Sequence, residues 1–528
     1  MNDVDEPLRW WQRPAALAPL VALGVAPLLW PAQPPLTDLP GHAARWHVAT
    51  AGAGSPLAAH FEIHWSWVGN LGTDLLALPL VPLLDAIGTA KVIAILIVAI
   101  TLAGMLLLSR IVHGRVAPTA LFALPFAFAW SFQMGFLNFA LAQGLCLWAL
   151  ALWIHLGRRE RAGLRAALFA PIGILLWTAH SAGWGLFGLM AFGSELARLR
   201  GAGRGWPGAI GGAMLACLPL ALPVLIMIAN RPEGARASET GDWFNLPAKI
   251  LWLMSSLRDR WQWFDLASLG LLSLLLYLSA RDRRLGFDAL LGWPALFCLG
   301  AFLLLPRLMM GGAYVDMRVM PSVWMLALLA IRPPTERRFA AMLALAGLVF
   351  FGARMAAATA SFVLRDAEQR SELRAVAHVP RGASVLALVY KPCLTPWSDI
   401  RADHLPARAI SDRDAFTNEQ WAIAGQQYLT VRYPEAGDFE TDPSQLVYPA
   451  GCEGQGMSLA HALTTFPRPA FSHVWIIGHR IAEPRRFGFE TVWSNGASAL
   501  YEVSGTLPPR RVERRPGLRL RRGERAGT

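Results

Sequence analysis

Apolar runs of membrane-spanning length recur along this 528-residue chain, near 15–31, 89–109, 117–133, 136–156, 165–180, 183–197, 208–229, 266–280, 286–305, 317–331 and 339–360. A helix needs about 20 apolar residues to cross a bilayer, and shorter runs borrow from their flanks. In hydrocarbon each backbone N–H and C=O must be satisfied within the segment, so such runs fold as helices. The expected fold is mainly α, a polytopic helical membrane domain of about eleven transmembrane helices. The chain is 54% hydrophobic and 16% charged, where soluble chains carry about 25% charged residues. Its mean hydropathy is +0.38.

The net charge of +12 resembles a nucleic-acid signature, but its placement argues against that partner. Much of it lies in short loops between apolar runs and in the tail, 510–525. Arginines gather in alternate connections: Arg110 and Arg115; Arg158, Arg159, Arg161 and Arg165; Arg198, Arg200 and Arg204; Arg281, Arg283 and Arg284; Arg332, Arg337 and Arg338. The positive-inside rule makes those loops cytoplasmic. The N-terminus is then inside and everything beyond about residue 362 outside. Arg9 and Arg13 precede the first run as in a signal peptide, but Pro31, Pro34 and Pro35 follow it in place of a small-residue cleavage site. An uncleaved first helix is expected.

Three units result: a transmembrane domain, 1–361, with an outer loop at 32–85; a small extracytoplasmic α/β domain, 362–508; and a disordered arginine-rich tail, 509–528. In the second unit, Leu364, Leu373 and Val376 give a helical period, and strands are expected at 384–390, 428–432, 474–477, 490–493 and 499–503. Within the outer segment 230–265, residues 249–257 read as an amphipathic surface helix, and Trp243, Trp252, Trp261 and Trp263 suit an interfacial belt or sugar stacking. Cys146, Cys217 and Cys298 lie in apolar runs and are packing residues. Cys393 and Cys452 fall in the outer domain, either as a disulfide or as two free thiols.

Ionisable residues are nearly absent from helix centres and collect at outer ends. Asp38, in Pro34-Pro35-Leu36-Thr37-Asp38-Leu39-Pro40-Gly41-His42, follows the first run directly. A carboxylate at that depth can act as a base on a membrane-borne substrate once partial burial raises its pKa from about 3.9; helix capping is its other possible role. His42, Asn70, Asp74, Asn138, His180, Asp316 and Arg318 also fall at outer ends and are candidate substrate-binding groups. Arg318 suits a phosphate, because a guanidinium fork matches phosphate oxygens. Asp316 and Arg318 can instead form an ion pair, and Asp74 can pair with Arg318, hold a metal or orient a hydroxyl. His60, Glu62 and His64 alternate, which on a strand puts them on one face, where with His42 or His47 they would suit a divalent metal. There is no Walker P-loop, no G-x-G-x-x-G after a strand and no H-E-x-x-H.

The order of a spanning helix, an outer loop opening with Asp38, many helices and an outer C-terminal domain resembles the GT-C superfamily. The nearer likeness is to bacterial members related to protein O-mannosyltransferases and to aminoarabinose transferases of lipid A. The resemblance implies a bacterial cytoplasmic-membrane glycosyltransferase that moves a sugar from a polyprenyl-phosphate donor to a glycan, lipid or protein acceptor at the outer face. It implies Asp38 as the catalytic base. Those enzymes often carry Asp-Glu or Asp-x-Asp in this loop; here Leu39 and Pro40 follow Asp38, which leaves metal dependence open. The chain also resembles bacterial membrane proteins with Asp-Leu-Pro-x-His after the first helix and Asn-Leu-x-x-Asp before the second, matched by Asp38, His42, Asn70 and Asp74. The competing classes are a transporter or flippase, which would want mid-membrane polar groups or repeats, and a non-enzymatic envelope assembly protein.

Overall fold

The computed structural model describes residues 8–230, 240–421, 423, 425–452 and 456–504. The tail expected to be disordered, 509–528, lies outside them. The helices in chain order are α1 (Pro14–Leu29), α2 (Leu39–Thr50), α3 (Gly72–Ala77), α4 (Val81–His113), α5 (Ala120–Ala123), α6 (Trp130–Gln133), α7 (Leu137–Arg158), α8 (Ala162–Ala179), α9 (Ser181–Gly201), α10 (Trp206–Cys217), α11 (Leu222–Ala229), α12 (Leu246–Met254), α13 (Gln262–Arg281), α14 (Ala289–Leu304), α15 (Val315–Ala330), α16 (Arg337–Leu373), α17 (Arg408–Arg413) and α18 (Leu459–Thr465). The protein is mainly helical.

Among the described residues, six helical stretches are long and apolar enough to cross a membrane: Val81–His113, Leu137–Arg158, Ala162–Ala179, Trp206–Ala229, Gln262–Arg281 and Arg337–His378. Pro14–Leu29, Ala120–Gln133 and Ala289–Leu304 are apolar but shorter. At 1.5 Å per residue a 16-residue helix reaches about 24 Å, short of the hydrocarbon thickness. The difference from the eleven expected runs thus lies in short or polar helices. In α9, Glu195 is buried between Arg165 and Arg198. In α15, Asp316 and Arg318 occupy the first turn. Proline explains two interruptions: Pro125 and Pro219 each open a 3-10 turn, Leu124–Phe128 and Leu218–Ala221, where a missing N–H ends the regular ladder.

The C-terminal domain is built on a mixed sheet. Strands are β1 (Phe61–Ile63), β2 (Ser384–Tyr390), β3 (Phe416–Thr417), β4 (Leu429–Val431), β5 (Leu446–Val447), β6 (His473–Ile477), β7 (Phe489–Ser494) and β8 (Ala499–Val503). β2 is central, with β6 parallel on one edge in the register Val385↔His473 to Val389↔Ile477. β3 and β5 run parallel to β2 on the other edge. β8 and β7 extend the sheet antiparallel beyond β6. Leu386 and Leu388 face one hydrophobic cluster, Val385 and Val389 another. Burial on both faces is why Ser384–Tyr390 reads as a continuous apolar run rather than an alternating one.

The two halves are sewn together. α16 continues unbroken to Leu373, so the boundary expected at 361/362 falls inside a helix. β1, from the segment between α2 and α3, pairs antiparallel with β4, with Phe61 opposite Val431. Arg401 donates to the Pro35 carbonyl at 2.9 Å and to Gln133 Oε1 at 2.6 Å. Arg365 holds Asp259, and Arg354 and Trp397 hold Asp265, all at 2.6–2.7 Å. Buried charges of this kind persist only when paired, which fixes the register of the domain on the helical bundle.

Candidate active site

Asp38 is placed by backbone contacts rather than by its own side chain. Its N–H donates to Met134 O at 3.0 Å, and the Thr37 N–H donates to Gln133 O at 3.3 Å. Gly135 makes the approach possible: φ is +85°, and a Cβ there would lie 2.6 Å from Asp38 N. Asp38 occupies the N-cap position of α2, yet its carboxylate accepts no capping hydrogen bond. The carboxyl group is therefore available for other work.

Its neighbours come from the far end of the chain. His404 Nε2 lies 3.8 Å from Asp38 Oδ1 and 3.8 Å from Asp442 Oδ1. His404 Nδ1 sits 3.1 Å from the Glu419 carbonyl, a contact that puts a proton on Nδ1. The Asp38 side chain is 14% exposed, leaving a narrow opening. Burial, reinforced by Asp442 and Asp403 and opposed by His404 and Arg318, raises its pKa to about 7. Burial works against a charge on His404, but Asp442, Asp38, Glu419 and Asp403 outweigh it and raise its pKa. Asp403 is also desolvated, yet Lys391 and His404 hold its pKa below the usual value. Lys391 bridges Asp399 and Asp403 at 2.9 and 2.6 Å.

Arg318 approaches from the membrane half and contributes to the field at Asp38. Its guanidinium lies 4.1 Å from the Phe136 ring centre. Nη2 donates to Ala313 O at 3.2 Å, Nε has no partner, and Nη1 lies 3.0 Å from His180 Nε2. His180 Nδ1 faces the Ala182 N–H. A neutral imidazole has one bare nitrogen, so His180 accepts either from the Ala182 N–H or from Arg318, not from both. Among the described residues Arg318 has no carboxylate within ion-pair distance. It is a guanidinium with N–H groups to spare.

Other expected site residues are committed elsewhere. Asp74 is buried and does not pair with Arg318: its oxygens take Arg45 Nε at 2.9 Å, Trp46 Nε1 at 2.8 Å, Tyr428 Oη at 3.1 Å and Asn138 Nδ2 at 3.0 Å. Asn138 accepts from the Thr73 N–H and hydroxyl and donates to Asn70 O and Oδ1, so Asn70, Asp74 and Asn138 form one structural network. His42 accepts from Arg45 Nη2 at 2.9 Å. Burial and the Arg45 charge lower its pKa to about 3, so it stays neutral. Asp316 pairs with Lys249 at 3.1 Å rather than with Arg318. On a helix, residues two apart point to different faces, which is why that ion pair does not form. Lys249 lies on α12, within the expected amphipathic helix.

The metal constellation does not assemble. Glu62 bonds His64 at 2.9 Å and also Arg432, while the His60 ring packs on Phe416 and Tyr433. Among the described residues no three His, Cys, Asp or Glu side chains are gathered to hold a metal ion. Cys393 and Cys452 are joined in a disulfide, with Cα atoms 5.4 Å apart. It closes the segment that carries His404 and Asp442. Lys391, Asp403, His404 and Asp442 were not foreseen as site residues. They sit in a domain whose sequence carries no catalytic motif, and no local pattern ties them to Asp38.

No protein-family model matches the sequence, and no curated protein matches it. Among solved structures, the chain is similar to the crystal structure of ArnT from Cupriavidus metallidurans bound to undecaprenyl phosphate. The two share 13% sequence identity, over 93% of this chain and 98% of that one, with a TM-score of 0.48.

Proposed function

We propose that the protein is a membrane glycosyltransferase that takes a sugar from a polyprenyl-phosphate donor and passes it to a cell-envelope acceptor at the outer face of the bacterial cytoplasmic membrane. The observation that carries this is that Asp38, a carboxyl group whose proton affinity lies near neutrality, lies within electrostatic reach of Arg318, a cation lacking a carboxylate partner. A base with a pKa near the working pH is best suited to accept a proton during reaction. A guanidinium with unused N–H groups suits a departing phosphate. Asp38 lies between the apolar helix α1 and α2, and Arg318 in the first turn of α15, so both sit at helix ends, where a lipid-borne substrate would present its headgroup.

In this mechanism the acceptor oxygen attacks the anomeric carbon as Asp38 takes its proton. The bond from that carbon to the phosphate oxygen breaks, and the electron pair leaves with the phosphate, opposite Arg318. His404 is a positioning residue: its charge keeps the Asp38 pKa from rising further. Asp74, Asn70 and Asn138 fix the loop that carries Asp38 without touching substrate. The test is Asp38→Asn in cells, with envelope glycans compared with wild type at equal protein abundance. Loss of one glycan modification is expected. Unchanged glycans remove Asp38 from the mechanism and the enzymatic reading with it.

A further inference from the structure

The charges around Asp38 divide between the two halves of the protein. The membrane half contributes Arg318. The C-terminal domain contributes Asp403 and Asp442, with side chains 20% and 22% exposed, and the charge of His404 beside them. Lys391 is ion-paired with Asp399 and Asp403, so on this side three carboxylates, Asp399, Asp403 and Asp442, stand against two cations, Lys391 and His404, and the wall keeps an excess of negative charge. His404 is 5% exposed, yet its Nε2 is 3.8 Å from an oxygen of each flanking carboxylate, too far to hydrogen-bond either. An accessible ring nitrogen on a largely buried histidine, aimed between two acids and bonded to neither, is an open polar position of the kind a ligand fills.

On the glycosyl-transfer reading, we propose that the acceptor is a neutral alcohol that enters against this acidic wall, and that Asp403 and Asp442 turn away acceptors bearing phosphate at the reacting end. A hydroxyl group can donate to these carboxylates and has a proton for Asp38 to remove. A phosphate oxygen is already ionised, so it needs no base and meets like charge in a partly desolvated cleft. The transfer balances for an alcohol. Its oxygen bonds to the anomeric carbon, its proton goes to Asp38, and the donor phosphate leaves with the electron pair of the broken bond. The donor's own phosphate stays on the Arg318 side, so the two substrates are sorted by charge.

The experiment uses the full-length protein in nanodiscs with a panel of radiolabelled undecaprenyl-phosphate hexoses. The acceptors are a methyl glycoside, the same glycoside carrying a phosphate monoester, and water alone. Transfer to the neutral glycoside at least ~10-fold faster than to the phosphorylated one is expected. Asp403→Asn and Asp442→Asn should narrow that ratio. Donor cleavage with equal or better use of the phosphorylated glycoside overturns the acceptor assignment and leaves glycosyl transfer standing. No release of undecaprenyl phosphate under any condition, water included, overturns the transfer reading itself. The wild-type comparison decides the matter even where a variant does not fold.

Discussion

Asp38 and His404 face each other across 3.8 Å, one heading α2 and the other in the C-terminal domain. The contact makes a titration on one half of the molecule depend on a charge carried by the other. The base form of Asp38 exists above its pKa of about 7, so the acid limb of the pH–rate profile should fall there. The His404 charge is one of the influences holding that pKa down. His404→Gln removes the charge, the carboxyl becomes harder to ionise, and the acid limb should move to higher pH. Transfer rates measured across pH for both proteins check this. An unmoved limb with a uniformly lower rate would mean that His404 only packs.

Arg318 makes a different prediction, because its shape matters as well as its charge. Arg318→Ala should slow transfer by roughly 100–1000-fold, the usual cost of losing one stabiliser of developing charge. Arg318→Lys keeps the charge but loses the planar fork, so it should recover little of that loss. Steady-state kinetics with varied donor provide the measurement. Full recovery by lysine would show that only a point charge is needed.

Asp74 looks like a site residue in the sequence but behaves as a structural one in the fold. Asp74→Asn leaves the Arg45 guanidinium buried at 2% side-chain exposure without its carboxylate. Breaking a buried pair from one side costs about 3–5 kcal/mol. The expected outcome is a lower melting temperature and reduced abundance in the membrane, with kcat and KM of the surviving protein near wild type. A normal melting temperature with a raised KM would return Asp74 to the substrate.

The helical bundle was legible because hydrophobicity is a one-dimensional signal, written run by run. The strand Ser384–Tyr390 is legible for the same reason, being a β-branched and apolar run of strand length. Asp38 stood out by its position after the first helix. Its partners did not, since no local period connects residue 38 with 404 or 442. Arg45 was missed because an arginine between Ala44 and Trp46 in a loop gives no sign of burial. The helix that buries it, Leu39–Thr50, opens on Pro40 and Gly41 and lacks an apolar run. Asp316 and Arg318 are neighbours in sequence, which suggests a pair, whereas helical geometry turns Asp316 to Lys249.

The disulfide offers a prediction about both compartment and site. Cys393 and Cys452 are 59 residues apart, and His404 and Asp442 both lie inside the loop they close. Bonds of this kind persist in an oxidising compartment, which the orientation read from the arginines requires for the C-terminal domain. Alkylation of the denatured protein should therefore find three thiols, Cys146, Cys217 and Cys298, and five after reduction. Five thiols before reduction would place the domain in the cytoplasm and reverse the orientation. Closing a loop of this length restricts the unfolded chain, so Cys393→Ser should destabilise the domain by roughly 2–4 kcal/mol. Because His404 and Asp442 depend on that loop, the same change should lower transfer while leaving the helices of the membrane half folded, as circular dichroism at 222 nm would report.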